Sequence, residues 1–331
     1  MANAGDTLVC VVGATAGKVN QAIDCAIGRS AAAVRGNPAK IDQDYLYRFF
    51  ETRVQKLRRV SQGLAQGVIT REMLNSLEIP LPPLPEQRRI AGILDQADAL
   101  RRLRRQSLSR LSDLGQAIFH EMFEDGASAD WPKLSIADVV DRDAGGIRTG
   151  PFGSQLLHSE FVDSGIAVLG IDNAVSNTFR WAKERFITPE KYGKLSRYKV
   201  YPGDVLITIM GTCGRCAIVP EDVGDAINTK HLCCISLQKS RCLPEYLHSY
   251  FLYHRDALRY LGVRSKGAIM DGLNGGLIKA MPLTLPPIEL QHQFVKRLEK
   301  IRANESECGD ACVRAQGLFA SLQHRAFRGD L

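Results

Sequence analysis

Ile79-Pro80-Leu81-Pro82-Pro83-Leu84-Pro85-Glu86-Gln87 and Leu283-Thr284-Leu285-Pro286-Pro287-Ile288-Glu289-Leu290-Gln291 state one phrase twice, once in each half of the chain. Proline fixes φ and removes a backbone donor, so neither phrase continues a strand ladder, and Pro85 suits a first helical turn. From Glu86 the apolar spacing becomes helical, through Ile90, Ile93, Leu94, Ala97, Leu100, Leu103, Leu108, Leu111, Leu114, Ile118 and Met122. A helix from Glu86 to Phe123 is about 57 Å long at 1.5 Å per residue. After the second phrase, Phe294, Leu298, Ile301, Glu305, Cys308, Cys312, Ala315, Phe319 and Leu322 keep heptad spacing. Two such stripes most simply bury each other, which predicts an antiparallel coiled coil holding two domains apart. The alternative is that each helix packs on its own domain.

Outward from these phrases the repeat continues. Gly5-Asp6-Thr7-Leu8-Val9 leads to a glycine turn at Gly13–Lys18, and Gly203-Asp204-Val205-Leu206-Ile207 leads to Gly211–Arg215. Asp44-Tyr45-Leu46-Tyr47-Arg48-Phe49-Phe50 matches Glu245-Tyr246-Leu247-His248-Ser249-Tyr250-Phe251, and Gln66-Gly67-Val68-Ile69 matches Lys266-Gly267-Ala268-Ile269. The period of about 200 residues is far too long for a solenoid. The expected fold class is α+β: a tandem repeat of mixed α/β domains separated by two long helices. The expected parts are 1–84, 85–126 (first helix), 130–286 and 287–328 (second helix). The second copy has a stretch, Trp131–Pro202, for which the first has only four residues, so the first copy is read as incomplete.

Composition narrows the class. The chain has 331 residues, 45% hydrophobic, with 43 Lys+Arg against 36 Asp+Glu and a formal charge of +7, a basic excess that suits an anionic partner as well as an ordinary basic protein. No run nears the roughly 18 apolar residues of a membrane span and no basic-then-apolar leader opens the chain, so a cytoplasmic location is expected. Nine cysteines, an odd number, argue for reduced thiols.

Several motifs tempt and fail. Gly13-Ala14-Thr15-Ala16-Gly17-Lys18-Val19 has three residues between its glycines and Val19 after the lysine, whereas a phosphate-cradling P-loop needs four and a Ser/Thr. Cys213-Gly214-Arg215-Cys216, with His231, Cys233 and Cys234 beyond, offers soft metal ligands, but its twin turn has none, so buried thiols and no metal are expected. No Asn-Pro-Pro-aromatic tetrad, Gly-x-Gly-x-x-Gly cofactor loop or nucleophile elbow occurs. A catalytic centre and a bound cofactor are therefore not expected.

Taken together, Ile79–Ile90, the two Gly-Asp strands with the Gly-Ala-Thr-Ala-Gly-Lys turn, Ile147-Arg148-Thr149-Gly150-Pro151-Phe152-Gly153-Ser154 and Ala226-Ile227-Asn228-Thr229-Lys230 resemble the specificity (S) subunit of Type I restriction–modification systems. The resemblance covers essentially the whole chain. It implies two target-recognition domains that each read half of a split sequence in double-stranded DNA. It also implies methyltransferase (M) subunits on the helices, bringing S-adenosylmethionine chemistry, and a nuclease/translocase (R) subunit that joins. The missing counterpart of Trp131–Pro202 departs from that pattern. It leaves a truncated subunit, a split subunit completed by a second S fragment, or a chain that pairs with itself.

Base readout needs forked polar side chains on loops, and phosphate contact needs cations, hydroxyls and amides. The DNA-binding candidates are Arg148, Thr149, Gly150, Phe152, Gly153, Ser154, Gln155, Thr212, Arg215, Asn228, Lys230, His231, Arg264 and Lys266, with Thr15, Lys18, Asn20 and Gln62 in the first domain. Gly150 and Gly153 are expected to let backbone approach DNA, with Phe152 plugging the turn between them. Charge reversal at Arg148 together with Lys266 is expected to abolish specific binding without harming the fold. Arg101, Arg102, Arg104 and Arg105 are candidates for partner contact, or else a solvated face paired with Asp95 and Asp98. Three readings stay open: a specificity subunit, a half-site reader or decoy that only binds M subunits, and a stand-alone modification enzyme.

Overall fold

The structure, a computed structural model, describes residues 1–62, 68–124, 131–265 and 273–331, with side chains described for all of these except 60–62 and 263–265. Gln66-Gly67 and Lys266-Gly267-Ala268-Ile269 lie outside the described residues. The chain divides into two compact units, Met1–Arg110 with Glu305–Leu331, and Leu111–Asn304.

In unit 1, strand β1 (Thr7–Cys10) lies between β2 (Val19–Gln21) and β3 (Ala31–Val34), antiparallel to both. Helix α1 (Gln43–Gln62) lays Leu46, Phe49, Phe50 and Leu57 on Val9, joined by Ile69 and by Leu74 of α2 (Arg71–Asn75). The P-loop-like glycines belong to the β1–β2 turn. Gly13 and Gly17 both have φ of +83°, and a Cβ on Gly17 would stand 2.9 Å from the Val54 carbonyl of α1. That turn is therefore shaped by a left-handed backbone and close helix packing.

Unit 2 repeats this plan and adds to it. Strand β8 (Val205–Thr208) lies between β9 (Cys216–Ile218) and β11 (Leu232–Ile235), and β5 (Ile147–Thr149) extends the sheet beyond β11. Val205 and Ile207 face one core with Tyr246, Tyr250 and Phe251 of α5 (Pro244–Tyr253), while Leu206, Ala217 and Cys234 face another. Both faces of the strand are thus buried, as its unbroken apolar run requires. The second face is covered from the stretch with no twin: β6 (Ile166–Leu169), β7 (Phe186–Ile187) and α4 (Pro189–Leu195), with β10 (Ala226–Asn228) parallel to β6. In unit 1 the alternate residues Leu8 and Cys10 are only half-buried. A short pair, β4 (Lys133–Ser135) and β12 (Pro282–Thr284), closes unit 2 beside α6 (Arg255–Ser265) and α7 (Gly275–Lys279).

The long helices are α3 (Leu84–Phe123) and α8 (Ile288–Ala326). Within unit 1, Leu94 clusters with Phe319, and the Cys308 thiol donates to the Arg104 carbonyl at 3.7 Å. Within unit 2, Phe119 packs on Phe294 with ring centroids 5.8 Å apart, and Leu298 approaches Gly115. Rising number on one helix meets falling number on the other, so the pairing is antiparallel in each unit, as the heptads predict.

The repeated phrases have a mechanical reason. The Gln87 amide accepts from the Asp42 backbone N–H (2.8 Å) and donates to the Lys40 and Pro82 carbonyls (3.0 and 2.8 Å). Gln291 accepts from the Leu243 N–H (2.8 Å) and donates to the Arg241 and Pro286 carbonyls (3.0 and 2.9 Å). Both glutamines are fully buried. In each copy the start of a long helix is thereby tied to the start of the Tyr-Leu helix. A buried amide left unpaired there costs about 1–3 kcal/mol.

Candidate nucleic-acid interface

Three chain segments of unit 2 meet around one open cavity of about 410 Å³: the loop after β5, the residues linking β6 to β7, and the β10–β11 turn. Its wall includes Pro151, Gly153, Leu156 and Phe161, and its polar groups are His158, Asp172, Arg185, Thr229, Lys230 and His231. Gly150 joins the first and third segments. A Cβ there would stand 2.0 Å from the Asn228 carbonyl oxygen and 2.4 Å from the Thr229 carbonyl carbon. The close backbone approach expected of this glycine is made, but to the chain itself. Gly150→Ala is therefore expected to push the two loops apart and cost about 1–3 kcal/mol, measured as a lower melting temperature; an unchanged melting temperature counts against that contact. Gly153, by contrast, has φ of +59° and open space where a Cβ would be.

The cavity's cations differ in state. Arg185 donates to Asp172 Oδ1 at 2.5 Å. Burial opposes ionisation of Asp172, but the bond from Arg185 and backbone amides more than offset it, so the carboxyl titrates below its ordinary range. His231 is held below its ordinary value by burial and by the charges of Lys230 and Arg185. The neutral ring is therefore favoured near pH 7, a form in which one ring nitrogen is an acceptor. Thr229 Oγ1 and Asn228 Oδ1 are buried without a hydrogen-bond partner.

The expected site residues divide. Phe152, Ser154, Gln155, Thr212, Arg215 and Lys230 are exposed, and Thr149 and His231 are half-buried. Phe152 is 49% exposed, so it does not plug the turn. The Thr212–Arg215 turn adjoins the cavity: a Cβ on Gly211 would touch Ile171, which lines it, and Ile209 N–H donates to the His231 carbonyl at 2.9 Å.

Arg148 and Asn228 point inward instead. Arg148 is 9% exposed, and donates to the Lys199 and Gly146 carbonyls, Ser236 Oγ and Asp204 Oδ2. Asn228 is fully buried and donates to the Thr229 and Leu232 carbonyls. The reason is common to both: each sits on a strand, at a position the sheet covers. Of Arg264 only the backbone, in α6, is described, and Lys266 lies outside the described residues.

In unit 1, Thr15, Lys18 and Asn20 are exposed on and beside the β1–β2 turn, and the Gln62 side chain is outside the described residues. Arg101 and Arg102 pair with Asp98, whereas Arg104 and Arg105 are exposed. Asp6, the counterpart of Asp204, takes its cation from Arg35 (2.8 and 2.6 Å). That bond first, then burial opposing it, sets the Asp6 carboxyl at about 2.

Of the cysteines, Cys216, Cys233, Cys234 and Cys242 are buried, and burial pushes their thiols up, Cys233 to about 12. Cys213 donates to the Ile209 carbonyl at 3.2 Å. No helix among the described residues is long and apolar enough to cross a membrane.

Sequence reasoning missed Asp172, Arg185 and His158. They lie in the stretch with no twin, where the repeat supplies no register.

Known proteins resemble this chain along most of its length. The specificity subunit of the EcoBI Type I restriction enzyme of Escherichia coli is 33% identical over 151 residues, covering 44% of this chain and 31% of that one. That of EcoKI, from the same species, is 24% identical across 93% of this chain and 69% of that one. The MjaVIII specificity subunit of Methanocaldococcus jannaschii is 22% identical across 78% and 63%. The chain thus spans between about a third and two thirds of these relatives. Two solved structures share the fold over 99% of this chain. One comes from work on complex assembly and conformational transition of the type I R-M system (TM-score 0.65, 16% identity, 83% of that chain). The other is the S subunit of a Type I system from M. genitalium (TM-score 0.60, 14% identity, 84% of that chain). The model of the Type I restriction modification DNA specificity domain matches residues 2–112 and 157–308, and by that match over most of its length the chain belongs to this family.

Proposed function

We propose that the chain is a non-catalytic specificity subunit whose unit 2 reads one half-site of duplex DNA through the loops around the 410 Å³ cavity. The observation that carries this reading is the convergence of three segments whose polar groups His158, Arg185, Lys230 and His231 line one cavity, with Ser154 and Gln155 exposed on the loop beside it. Gln155 and Ser154 suit base edges, His231 offers a neutral acceptor, and Lys230, Thr212 and Arg215 suit phosphates. Thr15 and Lys18 are proposed as auxiliary contacts of unit 1. There the described residues hold no second layer over the sheet, so half-site reading is assigned to unit 2.

In the same proposal, methyltransferase subunits bind the helices, with Arg104 and Arg105 as contacts. They hold the S-adenosylmethionine, and a nuclease subunit joins the complex. A second S fragment or a second copy of this chain would supply the other half-site reader.

The test is selection of duplexes from a random pool by the full chain, alone and with its methyltransferase subunit, at about 150 mM salt, where phosphate attraction is weakened. A defined half-site motif is expected. Lys230→Ala should weaken all sequences alike and lower the salt slope by about 1, whereas Gln155→Ala should relax the preference at one position. A pool that stays random while the complex forms favours the decoy reading, and absence of any complex overturns the specificity-subunit reading.

A further inference from the structure

The segment linking β6 to β7 displays an aromatic ring in water on a fixed backbone. Trp181 is 53% exposed, and its ring stands edge-on to Phe179 at 5.2 Å. Arg180 and Lys183 beside it are also exposed. The backbone is held at several points. Asn173, 3% exposed, donates from its side chain to the Arg180 carbonyl (2.9 Å) and accepts the Arg180 N–H on its own carbonyl (3.2 Å). Asn177, the described non-glycine residue with a left-handed φ (+59°), accepts from Cys216 N–H on its side chain and from the half-buried His248 ring on its carbonyl. Lys183 N–H donates to Asp172 Oδ2 at 3.0 Å. Tryptophan, a large ring with a polar N–H, is enriched at wet interfaces, and here it is held out on a segment pinned at several points.

Charge and position indicate what meets it. Arg180 and Lys183 flank the ring, opposed by Glu184; Asp172 is already neutralised by Arg185. Arg185 lines both the 410 Å³ cavity and a second of about 240 Å³ that Trp181 and Lys183 also line, so the aromatic ledge adjoins the proposed reading site. Two cations around a flat ring are the chemistry that grips a sugar–phosphate edge while packing a ring on the groove.

We propose that Ala174–Arg185 is a second DNA-contact element, in which Trp181 lies against the duplex and Arg180 and Lys183 meet phosphates. This inference rests on the DNA-reading assignment above. It makes Trp181 an anchor that fixes the register in which the cavity loops meet the bases.

The experiment uses the full chain and a labelled fixed-sequence duplex of about 30 base pairs at roughly 50 mM salt, where sequence-independent binding is strong. Acrylamide quenching of Trp181, isolated by subtracting a Trp181→Phe variant that leaves Trp131 as its only tryptophan, is expected to fall at least about twofold when duplex is added. Trp181→Ala, which removes the buried contact of one large side chain, should weaken binding about tenfold, and joint Arg180→Ala and Lys183→Ala should lower the salt slope by about 2. Duplex binding by wild type with Trp181 still fully quenchable, and equal binding by Trp181→Ala, overturns the inference while leaving the reading site intact. No binding of any duplex overturns both. Protection of Trp181 by the methyltransferase subunit alone, with no change on adding duplex, overturns it in favour of a protein contact.

Discussion

Arg148→Ala is expected to lower the stability of unit 2 by about 3–5 kcal/mol, the cost of leaving a buried charge without its partner. Asp204 is 3% exposed, and its carboxylate also accepts from Ser236 Oγ and the Tyr201 N–H. Neither neutral donor replaces a guanidinium. The Lys199 and Gly146 carbonyls and Ser236 lose a donor as well. Trp131 and Trp181 both belong to unit 2, so urea unfolding followed by tryptophan emission reports this unit. The midpoint should move sharply down, and Arg148→Met with Asp204→Leu should recover much of the loss, since apolar replacement of a whole buried pair is often tolerated. An unmoved midpoint for Arg148→Ala would show the pair contributes nothing. Charge reversal at Arg148 therefore tests folding rather than reading, contrary to the sequence expectation that such a variant stays folded.

The second large effect belongs to unit 1. Asp98 is 1% exposed and meets Arg48 at 3.4 Å, Arg102 at 2.5 Å and Arg101. Arg48, also buried, reaches Asp95 and Glu51 as well. Asp98→Asn removes the charge at the centre of this network and is expected to cost about 3 kcal/mol. Faster hydrogen exchange along α1 is the readout, and unchanged protection would rule the network out as a source of stability. Burial opposes ionisation of Asp98, yet Arg101, Arg48 and Arg102 more than offset it and hold the carboxyl below its ordinary value. The sign follows: this contribution is complete above the unfolded value of about 3.9 and is lost as pH falls through the lower folded value. The Asn variant should lack that part of the acid sensitivity. Two of the four helix arginines are thus largely committed to an internal carboxylate, whereas Arg104 and Arg105, the contacts proposed for a partner, are exposed.

Much of the architecture is legible in the sequence. The paired Pro-Pro phrases placed both long helices, because proline's missing donor and a heptad stripe act locally. The phrases also carried information that patterning does not express: Gln87 and Gln291 look like surface residues at a helix start, and only the backbone groups they meet reveal them as buried ties. The proposed site is legible in outline at Gly150–Gln155 and Lys230–His231, where glycine and polar residues cluster. It was misread at Arg148 and Asn228, since a polar residue on a strand looks the same whether the next layer covers it or not. Arg185 and Asp172 were invisible because the long-range pairing of β6 with β10 brings them to the cavity.

Unit 1 is made of the first 110 residues and the last stretch from Glu305, with all of unit 2 between them. Phe327 stands 5.2 Å from Tyr45 and 5.5 Å from Phe49, and Phe319 closes over Leu94. During synthesis at about 5–20 residues per second, that apolar face waits roughly 10–40 s for its cover while unit 2 is being made. Residues 1–110 are therefore enclosed only after unit 2 has been made, so the interval between the two parts of unit 1 is when this face is most open to chaperones, to aggregation and to premature capture by another chain.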